Sequence, residues 1–249
     1  LSIHAESEVI LKKARAEFKG DMTDPASHSK IRPVEAASES VKMCIDLCRK
    51  TGARINICHS STEAELNLIE EAKKEGLPVS CEIAPHHLFL STDDYEKFGT
   101  RVQMNPPLRS PENIEGCWEH LKKGTIDMIA TDHAPHTLEE KDTPFPKAPS
   151  GIPGLETSLP LMLSAYHEGK LSLNDITKMM SANAAKIWNL NRGEIAEGKE
   201  ADLIILDFSK SWKIEKLQLQ TQCGWSPWEN FSTPGKLEEV YINGALTKG

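Results

Sequence analysis

The stretch "IDMIATDHAPH", residues 126–136, begins as an apolar run and ends with one carboxylate and two imidazoles in five positions. A short apolar run of this kind reads as a buried strand. Asp132, His133 and His136 then stand at or just beyond its C-terminal end. The same placement recurs upstream: His4 follows Leu1-Ser-Ile, His59 follows Ile55-Asn-Ile-Cys, and Glu82 and His86 close the run that starts at Val79. Helical patterns lie between these runs. Val34, Ala37, Val41, Cys44, Ile45 and Cys48 recur at helical spacing and predict a helix over residues 34–50. Thr62 and Glu65 have the spacing of a capping box, with Gly76 where that helix would stop. Ser110-Pro111-Glu112 reads as an N-cap with proline at the first helical position, opening a helix that ends near Gly124.

Strands alternating with helices predict an α/β fold with a parallel sheet, either doubly wound or closed into a (β/α)8 barrel of the TIM type. The repeated polar residues at strand C-terminal ends favour the barrel, which keeps its active site there. A doubly wound sheet would more often carry a Gly-rich phosphate loop, and none is present. After about residue 190 the texture changes. "GEIAEGKEADLIILD" and "GKLEEVYINGALTKG" are β-type runs separated by glycine and charged turns. The predicted division is therefore residues 1–190 as barrel and residues 191–249 as a β-rich segment. The proline and glycine of Thr143–Gly154 predict a rigid loop instead of a flexible linker.

At 249 residues, with 39% apolar and 27% charged content, the chain has material for a sizeable core. A net charge of −8 without a basic cluster argues against nucleic acid or an anionic membrane surface as partner. No apolar run approaches the roughly 20 residues needed to span a bilayer. The six cysteines are scattered without a C-x-x-C and predict free thiols in a reducing compartment, hence a cytoplasmic protein.

Imidazole and carboxylate together suit a borderline divalent ion, and a catalytic ion needs protein ligands plus an open position. His4, His59 and Asp132 end different strands and are the candidate ligands. Asp132 is also the candidate acid-base residue, since a carboxylate beside an activated water can take its proton and pass it on. His136, four residues on and past a proline, is better placed to face substrate. His133 is read as a supporting hydrogen-bonder. His86 and His87 are adjacent, so they are expected to point apart.

The set "HAES", "KIRPVEAASESV", "ICHSST", "CEIAPHHLFL", "MNPPLR", "ATDHAPHT" and "APSGIPGLETSLPLML", in this order, resembles the class I dihydroorotases of the amidohydrolase superfamily. The resemblance runs nearly the whole chain and ends in "GWSPW" and "VYINGALTKG". It implies a zinc-dependent cyclic amidohydrolase with two Zn2+ per complete site, interconverting dihydroorotate and N-carbamoyl-aspartate. It also implies that His4 and His59 hold the second metal and that Asp132 holds the first and shuttles the proton. Asn105 and His136 would contact the substrate, and the backbone of the Pro149–Gly154 loop, Pro149 and Gly151 included, would line the ring. Arg109 is either a further substrate contact or a residue that holds its loop. Cys58 and Glu82 correspond to positions that bind an extra zinc in the animal multifunctional enzyme, although a thiol packed as a small apolar group is the alternative.

One departure bears on completeness. The first-strand H-x-H pair of the family occurs nowhere in the 249 residues. By the resemblance, the chain holds barrel strands five to eight and the C-terminal part of a small β-sandwich appendage. A half barrel leaves edge strands open. The expectation is that a further N-terminal segment, self-association or a partner completes it, and that the fragment alone is inactive. Two other functions stand beside dihydroorotase: a non-catalytic structural module, and an allantoinase or hydantoinase.

Overall fold

In the computed structural model, which describes residues 1–248, the chain forms two compact units. The first comprises residues 1–155 and 221–227, the second residues 156–220 and the described residues from 228 onward. These units part at 155/156, whereas the texture of the sequence places a boundary near 190. The reason is the helix Ser158–His167, which packs against a strand of the second unit.

The first unit is built on four parallel strands, β1 (Ser2–Ile3), β2 (Ile55–Ile57), β3 (Val79–Ile83) and β4 (Met128–Ile129), neighbours in sequence order. Ser2 pairs with Asn56, Ile55 with Val79, and Glu82 with Met128. The crossovers are helical, as the alternation predicts. The helix Val34–Thr51 buries Ala36, Ala37, Ser40, Val41, Cys44, Ile45 and Cys48, which is the stripe read from the sequence. It ends where Gly52, at φ 70°, donates its N–H to the Cys48 carbonyl, a left-handed position that suits glycine.

The helix Glu63–Lys74 starts at Thr62, whose Oγ1 accepts from the Glu65 N–H at 3.1 Å. In return the Glu65 carboxylate accepts from the Ser61 N–H at 3.0 Å and the Thr62 hydroxyl at 2.8 Å. The return bond of the predicted box therefore falls on the Ser61 N–H, one residue before the cap, and the whole group is buried. The helix Pro111–Lys123 is capped by Ser110 and stops at Gly124, φ 78°.

Ile55, Ile57, Cys81, Ile83, Met128 and Ile129 are buried, yet the sheet also carries a polar ladder. Ser80 donates to Asn56 Oδ1 at 2.9 Å, and Asn56 donates to Glu82 Oε2 at 3.0 Å. All six cysteines are free thiols. No helix among the described residues is long and apolar enough to cross a membrane.

The second unit holds a three-stranded antiparallel sheet of β5 (Leu203–Lys213), β6 (Ser232–Ile242) and β7 (Ala245–Lys248). Register shifts interrupt β5 between Ile205 and Leu206 and between Asp207 and Ser211. The helix Ser158–His167 buries Leu161, Met162, Leu163 and Ala165 and packs on β6. At Gly235, φ 92°, a Cβ would meet the Phe208 ring at 3.1 Å, so both backbone conformation and space call for glycine. The β-rich texture after residue 190 is thus one sheet among the described residues.

Candidate active site

His4 lies just past β1 and His59 two residues past β2, so the pairing of these strands brings together two residues 55 positions apart. His4 Nδ1 and His59 Nε2 are 3.0 Å apart, with the rings edge to face. Two imidazole nitrogens bound about 2.0–2.1 Å from one tetrahedral ion stand about 3.3 Å apart, so the pair fits a shared cation. Among the described residues, no group of three His, Cys, Asp or Glu side chains stands ready to hold an ion by itself.

The backbone supports the same location. His59 has φ 35° and Asp132 φ 45°, and among the described residues the other non-glycine residues with positive φ are asparagines. Left-handed backbone at a histidine and an aspartate costs energy and persists where the surroundings impose it, which happens most often at functional sites. Burial pushes the His59 imidazole down, while the charge of Asp132 opposes that effect and His4 adds to it. Asp132 therefore lies within electrostatic reach of the pair. His59 Nδ1 is buried without a hydrogen-bond partner.

His4 turns its other nitrogen to Glu6, with Nε2 and Oε2 3.1 Å apart. Arg32 grips the same carboxylate, donating from Nε to Oε1 at 3.2 Å and from Nη2 to Oε2. Burial raises the Glu6 carboxyl, but the bonds from His4 and Arg32 outweigh it and hold it at about 2. The main chain of Arg32 is fixed in turn, because its carbonyl accepts from Arg109 Nη1 at 2.7 Å. Arg109 is buried, and its Nε and Nη2 each reach Ser61 Oγ at 3.3 Å. Of its two sequence readings, the loop-holding one matches these contacts.

Asn105 joins a second cluster. Its Oδ1 accepts from Ser150 Oγ at 3.3 Å and lies 3.0 Å from His28 Nε2. His28 Nε2 is also 2.9 Å from the Met104 carbonyl. Burial pushes His28 down to about 4, so it is a neutral donor. The loop carrying Pro149 and Gly151 is tied to the same segment: the Gly151 N–H donates to the Gln103 carbonyl at 2.9 Å. Lys141, with no solvent exposure, donates to the carbonyls of Gln103 at 2.9 Å and Pro149 at 2.8 Å. A Cβ on Gly151, φ 130°, would lie 2.4 Å from the Ala134 carbonyl oxygen. Glycine is what lets this loop lie against the strand-end segment, to which it is bridged through His133 and Ile152.

His133 Nδ1 accepts from the N–H groups of Gly154 at 3.1 Å and Leu155 at 3.2 Å, the supporting role read from the sequence. His136 is paired with Glu140 at 3.5 Å, and its carbonyl accepts from Trp225 Nε1 at 2.7 Å. Cys58 and Glu82 are brought together: burial raises the Cys58 thiol, and the neighbouring Glu82 carboxylate raises it further. The expectation that His86 and His87 point apart is corrected. Both lie in a helical turn, His86–Phe89, with ring centroids 4.3 Å apart and both residues buried. A helical step turns successive side chains by about 100°, short of the roughly 180° alternation of a strand, and the two rings can still meet edge to face. Sequence reasoning missed Glu6, Arg32, His28, Lys141 and Trp225. Glu6 and Arg32 lie within quoted motifs, but nothing local pairs them.

Residues 2–247 match the amidohydrolase family. The dihydroorotase of Halobacterium salinarum is 42% identical over 208 residues, 83% of this chain and 48% of that protein. The dihydroorotase of Methanosarcina acetivorans is 38% identical over 257 residues, 100% of this chain and 54% of that protein. Among solved structures, the L-hydantoinase (dihydropyrimidinase) from Arthrobacter aurescens superposes with a TM-score of 0.93 at 32% identity, covering 99% of this chain and 56% of that one. The dihydropyrimidinase from Brevibacillus agri gives 0.89 at 29% identity, over 99% of this chain and 56% of that one. The chain spans about half the length of the curated relatives it matches.

Proposed function

Because this chain belongs to the amidohydrolase family, we propose that it carries one half of a dihydroorotase active site, for reversible hydrolysis of the cyclic amide of dihydroorotate to N-carbamoyl-aspartate in pyrimidine synthesis. The observation that carries the reading is the His4–His59 pair, two nitrogens at 3.0 Å on the ends of adjacent parallel strands. Its position is where a barrel of this type does its chemistry. The similarity to proteins named dihydroorotase favours this substrate over related rings.

In this reading residues 1–190 belong to a (β/α)8 barrel and residues 191–249 to its β-appendage. His4, His59 and Asp132 hold zinc together with ligands from residues outside these 249, and the fragment alone is inactive. When bound, zinc polarises the amide carbonyl and brings water into an ionisable range near pH 7. Asp132 takes the proton of the attacking water and delivers it to the ring nitrogen as the C–N bond breaks. Asn105 and His136 hold the substrate's polar edges. Pro149 and Gly151 offer backbone to the ring, at a position Lys141 maintains. The protein works in the cytoplasm on a small molecule, as a homo-oligomer or completed by a further segment.

A second reading, hydantoin as substrate, is favoured by the likeness to hydantoinase structures. Zinc content and ring-opening rates with dihydroorotate, hydantoin and allantoin decide the matter. They are measured on the 249 residues alone and on the same residues in a polypeptide of the relatives' length. Activity on dihydroorotate only in the longer form is the expected result. Zinc without any ring opening would leave a structural module.

A further inference from the structure

The His4 ring meets a partner through each of its two nitrogens. Nε2 faces Glu6 Oε2 at 3.1 Å, and Nδ1 faces His59 Nε2 at 3.0 Å. The Glu6 carboxylate is an acceptor that Nε2 can meet only with an N–H, and in the neutral ring a hydrogen on Nε2 leaves the lone pair on Nδ1. The Glu6 side chain is 1% exposed, and burying a carboxylate there is tolerable only with strong partners. Arg32 is that partner, gripping both oxygens as a planar fork. The fork is itself anchored, since the Arg32 carbonyl accepts from buried Arg109, and Arg109 is fixed on Ser61 beyond β2. The segment carrying Glu6 is held from the other side by the Ser7 N–H, which donates to the Ala36 carbonyl at 2.7 Å.

We propose that Glu6, clamped by Arg32, is a positioning residue that fixes His4 as the Nε2–H tautomer and aims the Nδ1 lone pair at the point where His4 and His59 converge. The proposal rests on the reading of His4 as a metal ligand for its consequence, though not for the proton arrangement itself. A carboxylate behind a ligating histidine sets its tautomer and orientation, and losing one typically weakens metal binding 10- to 100-fold.

The test uses the full polypeptide that carries this sequence, with 15N-labelled histidine, and a His4→Gln sample to assign the ring. In the metal-free wild type, His4 should show a protonated Nε2 and an unprotonated Nδ1. Glu6→Gln should move both nitrogens toward averaged values and weaken zinc binding, read by titration with zinc alone, by 10- to 100-fold. Arg32→Lys keeps the charge and loses the fork. It guards against a misfolded Glu6 variant and should give an intermediate change in both readouts. An unchanged His4 spectrum in both variants, or zinc affinity within twofold of the wild type in both, overturns the proposal alone. No zinc uptake by the wild type overturns the ligand reading on which its consequence rests.

Discussion

Replacing Lys141 by methionine isolates the cost of keeping a cation inside the first unit. Lys141 has no solvent exposure, and burial pushes its ammonium from the ordinary 10.5 down to about 8. At about 1.36 kcal/mol for each tenfold change, that depression corresponds to about 3 kcal/mol. The sign follows from proton counting. Between pH 8 and 10.5 the unfolded lysine keeps its proton while the folded one releases it, so the unfolded state binds more protons and stability rises with pH. The neutral amine still donates to the carbonyls of Gln103 and Pro149, so relief of the buried charge leaves the loop tied down.

The wild type should therefore gain about 3 kcal/mol over Lys141→Met as pH rises from 7.5 to 10.5. Other groups that titrate in this range cancel in the difference. With an m-value of about 3 kcal/mol/M, the gap between the urea midpoints moves by about 1 M. The assay is urea unfolding of both proteins at half-unit pH steps. Midpoints that stay parallel through pH 10.5 would refute the reasoning, because they would mean that the Lys141 ammonium is not desolvated.

Asp132→Gly should stabilise the protein by about 1 kcal/mol by relieving a left-handed backbone, while lowering ring hydrolysis in the complete enzyme by 10²-fold or more; thermal unfolding and kinetics together check the opposed signs. His28 is held down to about 4 by burial, with the Met104 carbonyl partly opposing, so the unfolded chain takes up a proton near 6.5 that the folded chain refuses. About 3 kcal/mol of stability should be lost as pH falls from 6.5 to 4, and His28→Asn should show a correspondingly shallower acid dependence in urea midpoints. Thr62→Ala removes a cap and a buried donor to Glu65, and should cost about 2 kcal/mol in the same assay, whereas Thr62→Ser should recover most of it.

The amino-acid sequence determined everything that rests on near neighbours. The stripe on the helix Val34–Thr51, the Thr62 box, the Ser110-Pro111 start and the glycine stops at 52, 76 and 124 use contacts within a few residues, so local pattern suffices to read them. It also put His4, His59 and Asp132 at strand ends, and the parallel pairing of β1 and β2 then brings the His4 and His59 candidates together. The tertiary structure decided which side chains meet. Glu6 finds Arg32 across 26 positions and His28 meets Asn105 across 77. Lys141 holds Gln103 38 positions away, and Trp225 reaches His136 across 89. The His86–His87 turn and the division at residue 155 are likewise set by packing. A periodicity signals burial without naming the partner, because the hydrophobic effect is non-directional, whereas a buried charge or imidazole needs one particular donor or acceptor that only the folded chain brings within hydrogen-bonding distance.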